Sequence, residues 1–115
     1  FTPNEFSLQL AYMNRPTDYN IEPHVHCEFD RLNKFTQEVL FIKSGQLRVD
    51  FYNLERVYLK SRLLNKGDVI LLVGGGHGFK IIDSCEIIEV KQGPYAGDRD
   101  KIRFNAVADN QVNFN

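Results

Sequence analysis

The sequence predicts an all-β domain that closes into a barrel or jelly roll. Short runs rich in Val, Ile, Leu, Phe and Tyr recur along the 115 residues, and Gly, Asn, Asp and Ser separate them. No segment keeps the 3.6-residue apolar period of an amphipathic helix. About eight strands fit in this short chain, and closing their sheet would remove the exposed edges that an open sheet must protect.

The predicted strands are bounded by turn residues. Ser44-Gly45, Asn53-Leu54-Glu55 and Asp83-Ser84 each separate two runs closely enough for a hairpin, which predicts antiparallel pairing. The runs cover residues 5–12, 22–28, 37–43, 46–53, 56–64, 68–73, 78–82 and 85–91.

Length and composition predict one globular domain. Residues 1–115 suit a single domain, with a barrel core at about 5–95 and a polar, asparagine-rich C-terminal arm at about 96–115, for which Phe104 is the candidate anchor. Fourteen basic and fifteen acidic side chains give a net charge of −1, so no strong field attracts phosphate backbones and nucleic acid is not an expected partner.

Cysteine content and hydropathy predict a cytoplasmic protein. The two cysteines, Cys27 and Cys85, are too few for a disulfide scaffold and are interpreted as thiols in a reducing compartment. No apolar run approaches the ~20 residues that span a bilayer, so no membrane association is expected. Cys27 and Cys85 are both assigned to packing rather than to chemistry.

Four side chains are candidate metal ligands. In a strand, His24 and His26 share a face because they are separated by one residue, Val25. Glu38 opens a strand and shares its face with Leu40 and Ile42, so its carboxylate points into an apolar interior, where burial is costly unless the charge is paired or bound to a metal. His77, the only other histidine, comes just beyond another apolar run. Imidazole and carboxylate suit Fe, Mn, Co, Ni or Zn.

These residues carry a resemblance to the cupin family. The spacing of His24, His26, Glu38 and Gly45 resembles the first cupin motif, in which six residues separate the glutamate from a glycine, although eleven residues lie between His26 and Glu38 where cupins commonly have three or four. Glu28 and Asp30 are rival carboxylates nearer the histidines, but neither is followed by a glycine at that distance.

The second cupin motif is matched in part. Gly67 and Gly75 stand at its glycines, Val73 replaces the usual proline, and His77 comes one residue early. The flexible glycines at 74–76 allow a shortened loop to bring His77 to the metal. The resemblance implies a single-domain cupin (a double-stranded β-helix, or jelly-roll barrel) with a divalent metal ion on His24, His26, Glu38 and His77, a small-molecule ligand in the barrel mouth, and a homodimer.

Residues 89–95, ending in Gly93-Pro94-Tyr95, are similar to the close of small cupin-fold metalloproteins associated with surface-polysaccharide biosynthesis. That likeness implies a sugar or sugar derivative as substrate. A bound metal would polarise its carbonyl and permit isomerisation or epimerisation, with Tyr95 as the candidate acid-base residue. Two alternatives stay open: a non-haem iron dioxygenase, and a non-catalytic small-molecule-binding or sensor protein.

Overall fold

The computed structural model describes all 115 residues, and the protein is all-β with two short 3₁₀ turns as its only helical segments. The chain forms two compact units, Phe1–Lys34 and Phe35–Asn115. Every strand lies in the second unit, and the first contains no regular element, so the strands predicted at 5–12 and 22–28 are absent. No helix has the length and apolar character needed to cross a bilayer.

The second unit is built on one antiparallel sheet of four strands. They are β1 (Glu38–Tyr52), β2 (Tyr58–Asn65), β3 (Val69–Leu72) and β4 (Gly76–Lys91). Strand β1 lies at the centre: β3 and β4 flank its first half, and β2 and β4 flank its second half. The all-β prediction is confirmed at this level.

Two of the three predicted hairpins are wrong. Ser44-Gly45 lies inside β1 and Asp83-Ser84 lies inside β4, so each long strand replaces two predicted ones. The pairing of β1 with β4 shifts register between Ile42 and Leu47, which is the signature of β-bulges. Ser44-Gly45 and Asp83-Ser84 therefore lie at bends within two continuous strands. The third predicted turn does join β1 to β2, with Asn53 accepting and donating hydrogen bonds across it.

The bend folds β1 back on itself. A straight strand of 15 residues would be about 48 Å long at about 3.4 Å per residue. However, Leu72 pairs with Glu38 at one end of β1, and Gly76 pairs with Tyr52 at the other end. Leu72 and Gly76 are only four residues apart in the chain, so they are separated by at most about 14 Å. The two ends of β1 therefore lie much closer together than a straight strand would allow.

The inner face of this bent sheet carries the core. Ile42, Leu47 and Val49 are fully buried and form one cluster, and Leu40 beside them is 2 % exposed. Cys85 packs against the cluster as expected from the sequence. Further partly buried side chains that cover it are Phe51, Leu64 and Ile70.

A polar network occupies the other face. Arg48 donates two hydrogen bonds to Asp50, at 2.8 and 2.9 Å, and both side chains are buried. The hydroxyl of Ser61, which lies opposite Asp50 on β2, also donates to Asp50. Because each buried charge has its counter-charge and hydrogen bonds, this network stabilises the strand pair without an unpaired ion.

The C-terminal arm is attached to that face. Asp109 forms ion pairs with Arg48, at 3.1 Å, and with Lys80. The Tyr52 hydroxyl accepts a hydrogen bond from the backbone N–H of Val107 at 2.9 Å. Phe104, the predicted anchor, packs edge-on against Tyr52 with ring centroids 4.9 Å apart.

We predict that Gly45→Ala destabilises the protein more than Gly67→Ala. Both glycines have positive φ angles, of 81° and 93°, which cost about 1–2 kcal/mol for alanine. A Cβ at Gly45 would lie 2.0 Å from the Ser84 carbonyl oxygen, whereas nothing lies within 4 Å of a Cβ at Gly67. In urea unfolding we expect Gly45→Ala to lose about 3 kcal/mol or more. Equal losses would contradict the close approach of the two strands.

We predict that Asp109→Asn lowers the melting temperature at neutral pH and that this difference shrinks in acid. The hydrogen bond from Lys80, and then that from Arg48, hold the pKa of Asp109 below its usual 3.8. The ionised form therefore stabilises the folded state above about pH 4, and this stabilisation is lost as the pH falls through the folded pKa. Asp98→Asn, which removes an exposed pair with Arg103, is the control and should change little. A constant difference from pH 7 to pH 2 would rule this out.

Candidate functional site

Glu38 and His77 meet on the inner face of the sheet. Glu38 opens β1 on the same face as Leu40 and Ile42, as the sequence predicts, and is only 7 % exposed. His77 is the second residue of β4. Its Nε2 lies 3.0 Å from Oε2 of Glu38. The two residues belong to opposite ends of β1 in the pairing register, so the bend of the sheet is what brings them together.

The glycines before His77 permit this approach. Gly75 has a φ angle of 76°, and a Cβ there would lie 2.8 Å from the Tyr52 carbonyl oxygen. A Cβ at Gly76 would lie 3.2 Å from side-chain atoms of both Phe104 and Tyr52. Only glycine fits these positions without displacing neighbours. The glycines therefore allow the β3–β4 connection to pass close to Tyr52 and to bring His77 beside Glu38.

Lys91 and Glu89 complete the charged cluster, and sequence reasoning missed both. Lys91 pairs with Glu38 in the β1–β4 register, and its Nζ lies 3.5 Å from Oε1 of Glu38 and 2.9 Å from Oε1 of Glu89. The hydrogen bond to Glu89 and the charge of Glu89, and after them the charge of Glu38, raise the pKa of Lys91. Ile87, Glu89 and Lys91 are two residues apart from each other, so the sequence does predict that they share one face at the end of a strand. It does not predict that Glu38 lies opposite them, because that depends on the pairing register of β1 and β4.

A small open cavity adjoins the cluster. It has a volume of about 70 Å³, and Lys91 lies in its wall together with Tyr95, Asp98, Asp100 and Arg103. Asp98 is paired with Arg103 at 2.9 Å, and Thr36 donates a hydrogen bond to Asp100 at 2.6 Å. Tyr95 is 90 % exposed, so its hydroxyl is accessible from solvent. Lys91 is thus shared by the cavity and the Glu38–His77 pair.

His24 and His26 lie together in the first unit. Their segment is not a strand, yet the rings are in edge contact with centroids 5.2 Å apart, and both side chains are exposed. His24 Nδ1 lies 2.8 Å from the Glu22 carbonyl oxygen, and since that oxygen can only accept, Nδ1 carries the proton. In a neutral His24 ring, Nε2 is then the nitrogen that can ligate a metal. Cys27 is exposed rather than packed.

The Glu38–His77 geometry fits a pair of metal ligands as well as a hydrogen bond. Ligands bonded at about 2.1 Å in adjacent octahedral positions lie about 3.0 Å apart, which matches the observed separation. The donor types suit Mn, Fe, Co, Ni and Zn. No group of three or more His, Cys, Asp or Glu side chains that could hold a metal ion is found. The structure therefore pairs Glu38 with His77 and His24 with His26, and the four-ligand set stays a prediction.

Comparisons of the chain with protein-family models, curated protein sequences and solved structures give no match. The functional argument rests on the residues and motifs described above.

We predict that Glu38→Met folds as stably as the wild type, within about 1 kcal/mol, because it removes a buried charge and its two partners stay accessible to water, with His77 29 % and Lys91 27 % exposed at their side chains. Lys91 would also keep Glu89 as its partner. Asp50→Met is the matched contrast: it leaves buried Arg48 without its main partner and should cost about 3 kcal/mol or more in urea unfolding. If both variants lose the same stability, Glu38 has a structural role.

Proposed function

We propose that this protein binds a divalent metal ion through Glu38 and His77 and acts on a small polar metabolite, a sugar or sugar derivative, by isomerisation or epimerisation. The observation that carries the proposal is the meeting of a buried carboxylate and an imidazole, 3.0 Å apart, beside a cavity. A cluster of charged side chains that adjoins a cavity, here through Lys91, is typical of functional sites.

The contacts of Glu38 support a functional role because they differ from those of the other buried carboxylate of β1. That carboxylate, Asp50, is held by two hydrogen bonds from Arg48 and one from Ser61. Glu38 instead faces a histidine and a lysine on β4, at 3.0 and 3.5 Å. A carboxylate at the end of an apolar face, beside an imidazole, is a suitable ligand for a metal cation.

Glu38 and His77 would hold the ion, and the sequence predicts His24 and His26 as its remaining ligands. A bound divalent ion supplies Lewis acidity, which polarises a substrate carbonyl and acidifies the neighbouring C–H. Lys91 places a positive charge 3.5 Å from the Glu38 carboxylate, and burial leaves that side chain only 9 % exposed to water. Tyr95 offers an accessible hydroxyl in the cavity wall as the proposed proton donor or acceptor.

The sugar substrate is proposed from the likeness of residues 89–95 to polysaccharide-associated cupins. The cavity of about 70 Å³ is about half the size of one that encloses benzene, which is about 150 Å³, so it would admit one polar substituent of a sugar rather than its ring. Oxygen consumption with Fe(II) would instead support the dioxygenase alternative. Tight binding of a sugar without turnover would support the sensor alternative.

We predict that His77→Ala and Glu38→Ala lower the affinity for Mn²⁺, Co²⁺, Ni²⁺ or Zn²⁺ by about 100-fold or more, because each removes a ligand. The measurement is isothermal titration calorimetry on chelator-treated protein, with elemental analysis of the protein as purified. His24→Ala and His26→Ala test the predicted histidine ligands in the same way.

Glu86→Gln is the control for this titration. Glu86 is an exposed carboxylate on β4, the strand of His77, and it is paired with Lys43 at 3.2 Å. Its substitution should leave the metal affinity unchanged. Urea unfolding of every variant separates lost binding from lost folding. Wild-type protein that binds none of the four ions would exclude the proposed function. Full binding by His77→Ala would exclude His77 as a ligand.

A further inference from the structure

Lys91 differs from the other ion-paired lysines of this protein. Lys43 pairs with one carboxylate, Glu86, and Lys80 pairs with one, Asp109. Lys91 lies between two, with Nζ 2.9 Å from Glu89 and 3.5 Å from Glu38. The carboxylate that it shares is the one that also faces His77.

A cation at this position has opposite effects on the two states of Glu38. Without a metal ion, the ammonium group is the nearby positive charge that faces a carboxylate only 9 % exposed at its side chain. With a divalent ion on Glu38, the same ammonium group would lie beside a second, larger positive charge, and the two would repel. Lys91 would therefore compete with a metal ion for Glu38.

Glu89 provides the alternative partner that such competition requires. It lies two residues before Lys91 on β4, so both side chains project from the same face of the strand. Its side chain is 44 % exposed and so stays hydrated, and it is already the nearer partner of the ammonium group. Lysine has a flexible stem, so it can leave Glu38 without leaving Glu89.

We propose that Lys91 is a built-in counter-ion of the metal site: in the metal-free protein its ammonium group is shared by Glu38 and Glu89, and a binding metal ion displaces it from Glu38 and leaves it on Glu89 alone. This inference rests on the proposed function, because it assumes that Glu38 is a metal ligand. It makes Lys91 a residue that sets metal affinity without touching the metal.

The experiment is a double-mutant cycle on Lys91 and Glu89, read out by calorimetric titration of chelator-treated protein with Mn²⁺ or Zn²⁺. We expect Lys91→Met to bind the ion about tenfold more tightly, because it removes both the competitor and its charge. Glu89→Gln should bind about fivefold less tightly, since the ammonium group then depends on Glu38 alone. Lys43→Met removes an equal charge from the Glu86 pair and serves as the control, with unchanged affinity expected.

The double variant separates displacement from simple charge effects. If Glu89 acts by holding Lys91, the Glu89→Gln loss should largely vanish in the Lys91→Met background. If Glu89 only attracts the metal at a distance, the loss should be the same in both backgrounds, and the displacement proposal is then overturned. Lys91→Gln repeats the test should the methionine variant fold poorly.

Two further results are decisive in different ways. If the wild type binds the metal ion and Lys91→Met binds it equally well or more weakly, the role of Lys91 is overturned while the metal site stands. An absence of metal binding in wild type and Lys91→Met alike overturns the proposed function, and this inference with it.

Discussion

The close approach of Gly45 to Ser84 is the constraint on which the rest of the second unit depends. Because Gly45 has no side chain, β4 can pass very close to β1 at this point. A Cβ atom on residue 45 would lie only 2.0 Å from the Ser84 carbonyl oxygen. The two strands stay paired on both sides of this point, although their register shifts. One bend shared by two strands therefore curves the whole sheet, and the short β3–β4 connection can then join its ends.

That curvature gives the two faces of the sheet different tasks. The inner face buries the apolar cluster around Ile42, Leu47 and Val49 and ends in the Glu38–His77 pair. The outer face buries Arg48 and Asp50 and is covered by the C-terminal arm, which Asp109 attaches to both β1 and β4. The polar network that stabilises the fold is thus kept apart from the polar pair proposed to act, so that either can change without unpairing the other.

Much of the fold follows from local sequence, but whether Ser44-Gly45 and Asp83-Ser84 form hairpin turns or bends within a strand does not. The period-2 pattern of residues 37–43 correctly places Glu38 with Leu40 and Ile42, because side chains alternate in any strand. Ser44-Gly45 and Asp83-Ser84 have the residues of a tight turn, and Gly45 takes in the bulge a positive φ angle of the kind that glycine takes in a hairpin turn. Two hairpins and one bend shared by two long strands differ only in whether Ser44-Gly45 lies opposite Asp83-Ser84. That contact is between residues far apart in the sequence, so local sequence does not reveal it. The runs at 5–12 and 22–28 have strand composition but no partner strand, and composition alone does not form a ladder.

The candidate site divides along the same line between local and non-local information. Glu38 and His77 are visible in the sequence because each sits at the edge of an apolar run, where a polar side chain is unexpected. Lys91 and Glu89 look like ordinary charges at a strand end, and their significance comes from the β1–β4 register that sets Lys91 opposite Glu38. Register depends on the bulges, since each one shifts every later pair. The bend at Gly45 therefore sets both the meeting of Glu38 with His77 and the choice of the cation that faces Glu38, which links the backbone constraint to the charge balance of the site.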